Sequence, residues 1–193
     1  MDRRTFLATS TTGLALASAG CSGLLGSTVT LTGPETETQD DGREKYHTYN
    51  QDGERVVTVG FTQRTVPATL SDRFGFRITA AHSDETTIES FQFDLRAPRT
   101  SVDPPAEFYL GAPAGGLWPD ITLEEIDDGF TRIALEDTGE LGEGTLGLDT
   151  IVDPGSVPAE SIAIRAEMTV SASGSAGRTY RISPQTEFAP VTS

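Results

Sequence analysis

The chain has 193 residues, with 29 Asp and Glu against 14 Lys and Arg, and a formal net charge of −15. One Cys excludes an internal disulfide, a Cys-built zinc site and an iron–sulfur cluster. The acidity argues against binding nucleic-acid phosphate, and no apolar run reaches the roughly 18 residues of a spanning helix.

The chain opens with adjacent Arg3 and Arg4, then Phe6 and Leu7, then a modestly apolar stretch diluted by Thr, Ser and Gly. This is the three-part plan of an export signal. The run Asp2-Arg3-Arg4-Thr5-Phe6-Leu7 resembles the twin-arginine consensus, which implies export in a folded state. Ser18-Ala19-Gly20-Cys21 resembles a lipobox, with Ser18 where the usual motif has Leu. That resemblance implies that residues 1–20 are removed and that a two-chain lipid on Cys21 anchors the protein to the outer face of the cytoplasmic membrane. The same letters carry a second reading. Ala17-Ser18-Ala19 is an A-x-A site, and cleavage near Ala19 would release a free protein. An exposed free thiol in an oxidising space is a liability, which favours lipidation. Signal, abundant acid and a single lysine, Lys45, together resemble the exported lipoproteins of haloarchaea. That group is defined by its address and implies no activity.

Beyond Cys21, residues 21–27 read as a tether and residues 28–193 as one domain. A first strand falls near 29–32. Residues 33–44 (GPETETQDDGRE) lack large apolar side chains and read as a long solvated loop. From there the dominant period is two. Val57, Val59 and Phe61 share one face; so do Phe74, Phe76, Ile78 and Ala80; so do Phe91, Phe93 and Leu95; so do Ile162, Ile164, Ala166, Met168 and Val170; Tyr180 pairs with Ile182. Tyr46 to Tyr49 and Arg55 to Phe61, joined by Asn50-Gln51-Asp52-Gly53, read as a hairpin. Weaker strands fall at 107–110, 121–126, 130–135 and 145–152. No segment has sustained helical periodicity. The predicted fold is an all-β antiparallel sandwich, immunoglobulin-like in architecture and without the Cys–Trp–Cys signature.

The chemistry is sparse. His82-Ser83-Asp84 holds three triad residue types, but neighbours on an extended chain point to opposite faces, so it reads as a polar turn. His47 and His82 would need a third ligand to hold a metal, and a blue-copper site lacks its Cys; no metal or cofactor is implied. Residues 120–149 concentrate carboxylates around Arg132 without the spaced calcium-loop pattern, and read as a salt-adapted surface. Residues 104–119 (PPAEFYLGAPAGGLWP) differ: an apolar, Gly- and Pro-rich segment with Tyr109 and the sole Trp118. These two are the candidate binding residues, and a lid over one end of the sandwich is the rival reading. The functional expectation is a lipid-anchored binding or structural module beside a membrane or cell-surface complex. The alternative is an exported hydrolase whose carboxylates assemble in the fold.

Overall fold

The computed structural model describes residues 27–97, 106–111, 120–136, 138, 144–155, 158–172 and 177–193. Its elements, in order, are β1 (Thr28–Leu31), β2 (Glu35–Gln39), β3 (Glu44–Gln51), β4 (Glu54–Gln63), β5 (Phe74–His82), β6 (Thr86–Arg96), β7 (Glu107–Leu110), β8 (Ile121–Glu125), β9 (Thr131–Leu135), β10 (Thr145–Asp153), β11 (Ile162–Ala172), β12 (Thr179–Ile182) and β13 (Gln185–Phe188). Two short 3-10 turns, Asp40–Gly42 and Asp127–Gly129, are the helical content of the described residues.

The alternating stretches form strands because one face of each is apolar and must leave water. β5 is the clearest case. Phe74, Phe76, Ile78 and Ala80 are buried, while Gly75, Arg77, Thr79 and Ala81 face outward. A six-stranded sheet runs β2-β3-β4-β5-β10-β7, and a seven-stranded sheet runs β1-β12-β11-β6-β9-β8 with β13 also on β11. All pairings are antiparallel except β1 with β12. This is the expected all-β sandwich.

The inner faces meet through aromatic rings. Phe76 stacks on Phe61 at 6.4 Å within its own sheet and meets Phe188 of the other sheet edge-on at 5.1 Å. All three side chains are buried. Removing one such ring typically costs about 3–5 kcal/mol, so contacts of this kind hold the layers together.

One expectation fails here. Residues 33–44 are not a solvated loop: β2 lies within them and pairs with β3 from Glu35↔Thr48 to Gln39↔Glu44. Every β2 side chain is exposed, so hydrophobic periodicity carries no trace of it. Backbone pairing and a turn hold it instead. Asp41-Gly42 occupies left-handed angles (φ 54° and 93°), as Asp52-Gly53 does between β3 and β4 (φ 56° and 86°). Asp-Gly is the pair that tolerates such angles in tight hairpins.

Candidate functional site

The outer face of the seven-stranded sheet carries the densest chemistry. β12 and β13 lie end to end along one side of β11 in unbroken register, Met168↔Ile182 and then Arg165↔Gln185. Pro184 separates them, because proline has no N–H to give a ladder; its carbonyl still accepts from the Ala166 N–H at 2.9 Å. Around this break the surface is hollowed. One hollow of about 390 Å³ is lined by Gln92, Glu167, Thr169, Arg181 and Ser183 among others. A second, about 300 Å³, lies over Gln92, Asp94, Arg132, Arg165, Glu167 and Gln185. A third, about 270 Å³, lies over Arg96, Phe130, Arg165 and Gln185.

The register explains the clustering. Arg165 lies opposite Asp94, and Asp94 lies opposite Arg132, so three strands put three charges in one row. Arg132 takes Asp94 with both prongs: Nε and Nη2 donate to its two carboxylate oxygens at 2.8 and 3.0 Å. With its amide oxygen turned toward Arg132, Gln92 accepts from the same guanidinium at 3.1 and 3.2 Å. Hydrogen bonding to Asp94 holds the Arg132 guanidinium above its ordinary pKa, and the charges of Asp94, Glu124 and Glu167 add to that. Asp94 is 6% exposed while the Arg132 side chain is 31% exposed, so a buried carboxylate is held by a guanidinium that still reaches solvent.

Next to it sits an oddity. Phe130 is 1% exposed, yet it stands apart from the core cluster between the sheets. It is covered from outside by Arg165 and Arg96, whose guanidinium carbons lie 4.2 and 4.5 Å from the ring centroid. Cation–π contacts of this kind give each arginine a resting place without a carboxylate.

The outer face of the six-stranded sheet is different. Arg77 donates to both carboxylate oxygens of Asp149, its Nε at 2.6 Å from Oδ1, and Arg73 bonds Asp153 at 2.6 Å. Hydrogen bonds from these arginines hold both aspartates below the usual carboxylate range, against the opposing effect of burial. Tyr109 sits on edge strand β7, opposite Ile151; both are exposed, at 44% and 45%. Its hydroxyl donates to Glu107, and that carboxylate holds the phenol above its ordinary pKa. Trp118, the other candidate of the apolar segment, lies outside the described residues, as do Cys21, Arg3 and Arg4.

The histidines are used locally. His82 Nε2 accepts from the Gly144 N–H, and its Nδ1 donates to the Ser83 carbonyl at 2.6 Å, so His82-Ser83-Asp84 is a polar turn and not a relay. His47 is buried with Nδ1 3.0 Å from the Thr36 hydroxyl, and desolvation, then Lys45, pushes its pKa down. No group of three His, Cys, Asp or Glu fit to hold a metal occurs among the described residues.

A family model for the DUF8121 domain of unknown function matches residues 28–192. The chain belongs to that family. No curated protein matches the chain of this DUF8121 domain. Among solved structures it is similar to the human F-spondin reeler domain, at 10% identity and a TM-score of 0.36, covering 67% of this chain and 87% of that one. It is similar to the seventh type I cohesin of ScaB from Pseudobacteroides cellulosolvens, at 12% identity and 0.37, covering 68% and 91%. It is also similar to the major pilin subunit BcpA of Bacillus cereus, at 9% identity and 0.39, covering 84% of this chain and 48% of the pilin. The sandwich assignment for this DUF8121 chain rests on its own strand pairings.

Proposed function

We propose that this DUF8121 chain is an exported surface module that binds a protein partner with the outer face of its seven-stranded sheet. Residues 1–20 act as a twin-arginine signal, and lipid on Cys21 moors the module at the outer face of the cytoplasmic membrane. The acidic, lysine-poor surface supports a salt-rich setting, where carboxylates keep their hydration and repulsion is screened within about 3 Å at 1 M salt.

One observation carries the binding reading: the outer face of the seven-stranded sheet carries open hollows lined by polar side chains, and Arg132 is held there by both carboxylate oxygens of Asp94. Fixed polar groups around an open surface suit the docking of a protein partner.

The anchor would also orient the module. Seven tether residues reach at most about 25 Å, so the end of the sandwich where Thr28 pairs with Thr179 would face the membrane. Arg165 lies six residues along β11 from Ser171, the partner of Thr179, or about 20 Å further out. The Arg96–Arg165 end of the face would then point away from the lipid.

The test is site-specific photocrosslinking in intact cells at native salt. A crosslinker at Thr169, on the seven-stranded face, is expected to capture a defined protein, and one at Thr79, on the other face, is not. Capture from Thr79 alone overturns the assignment of the face. Mass spectrometry of the N-terminal peptide tests the anchor: an intact Met1 with an unmodified Cys21 thiol removes it.

A further inference from the structure

We infer that Arg96 and Arg165, resting on Phe130, form a subsite for an acidic side chain of the protein partner. The inference deepens the surface-module reading above and rests on it.

In a chain with about twice as many acids as bases, an arginine near the middle of a sheet is expected to find a carboxylate. Arg77 and Arg132 each do. Arg165 lies directly opposite Asp94 and still makes no ion pair with a described residue, because Arg132 occupies both oxygens of that carboxylate. Among the described residues, the hydrogen bond of Arg96 goes to a backbone carbonyl, that of Asp128, at 3.3 Å. Two like charges are thereby held against one ring, and neither forms an ion pair with a described carboxylate. The face of Phe130 offsets part of their repulsion.

The hollow of about 270 Å³ beside them has room for one carboxylate and its stem, and it shares Arg165 and Gln185 with the neighbouring hollow of about 300 Å³. Gln185 at its border offers a neutral amide. The acids nearest in register are Asp94, already paired with Arg132, Glu167 two residues along β11, and Glu187 across Ala163 on β13. None of the three lines this hollow. A guanidinium offers two parallel N–H groups that match a carboxylate, so the pair presents two such forks to one incoming group. The occupant we assign is a protein side chain, because a carboxylate on a flexible stem can reach both guanidinium forks from a docked surface.

The experiment titrates the whole exported chain with three probes: a blocked glutamate-rich peptide, its glutamine counterpart and an oligogalacturonate. Binding is read from the NMR signals of the Arg96 and Arg165 Nε–H groups. The glutamate peptide is expected to bind about tenfold more tightly than the glutamine one, the effect of one charge-assisted pair. Arg165→Gln and Arg96→Gln are each expected to lose about that factor. Arg165→Lys, which keeps charge and loses the fork, falls between. Asp149→Asn, on the opposite sheet, leaves affinity unchanged. Equal binding of the two peptides, an unchanged affinity in Arg165→Gln, or no binding by any probe overturns the subsite. Tighter binding of the oligogalacturonate overturns the choice of a protein ligand. An unmodified Cys21 would refute the anchored module while leaving this titration intact, so the two failures are distinguishable.

Discussion

The two outer faces of this sandwich are built from the same kind of residue and treat it in opposite ways. On the six-stranded sheet Arg73 and Arg77 are each closed by an aspartate on the neighbouring strand. On the seven-stranded sheet one arginine, Arg132, is closed by Asp94, while Arg96 and Arg165 lie over Phe130 and form no ion pair with a described carboxylate. The six-stranded face is also tightly filled. A Cβ on Gly60 would lie 2.5 Å from Thr79 Oγ1 and 2.9 Å from the Tyr46 ring. Position in a sheet does not decide what an arginine does. The identity of its cross-strand neighbour does, and a neighbour already engaged leaves the charge free for something else.

That contrast can be broken by substitution. The largest effect is expected for Gly60→Val, which forces two side chains apart on the closed face. A loss of about 2–3 kcal/mol, or a fall of about 5–10 °C in melting midpoint, is the expected result of such overpacking. An unchanged midpoint would mean that this face is loosely packed. Next is Asp94→Asn, which removes a buried ionic acceptor from Arg132 and is expected to cost about 2 kcal/mol in denaturant unfolding. Asp149→Asn removes the equivalent acceptor from Arg77, where both partners are about one-third exposed. About 1 kcal/mol or less is expected there. Equal costs for the two would erase the distinction between the faces.

The acid limb of stability sharpens it further. The pKa values of Asp149 and Asp153 are lowered in the fold, so their contribution is present above the ordinary value of 3.8. It is lost as pH falls through their lowered values. The double variant Asp149→Asn, Asp153→Asn is expected to flatten the stability curve below about pH 4. A curve unchanged by the double variant would show that these pairs do not contribute. The smallest effect belongs to Arg165→Gln: under about 1 kcal/mol, from one lost cation–π contact, with the acid limb intact.

Much of the architecture was legible in the letters. β5, β6 and β11 alternate cleanly because each has one face against the core, and the β3–β4 hairpin is announced by Asp52-Gly53. β2 and β13 were not legible from periodicity. The first is exposed on both faces, and the second has one large apolar residue, Phe188, which enters the core beside Phe76. A signal for β2 was present all the same: Asp41-Gly42 is the same turn pair as Asp52-Gly53 and sits one strand earlier. The site was harder to read. Phe130 looks like a core residue of a weak strand, and Arg96 and Arg165 look like ordinary polar-side positions. Only the pairing of β6 with both β9 and β11 brings them together, and that register is a property of the folded sheets. Tyr109 was visible as an aromatic of an apolar segment on a weak strand, but its exposure and its pairing with Ile151 were not.

The all-polar composition of β2 has one more effect. Bare sheet margins invite strands from other molecules to add on, and stacking of that kind ends in fibres. Here the margin carries Glu35 and Glu37 with no apolar side chain to reward contact. A second copy laid along that rim would find nothing apolar to bury, so strand addition there gains only backbone hydrogen bonds.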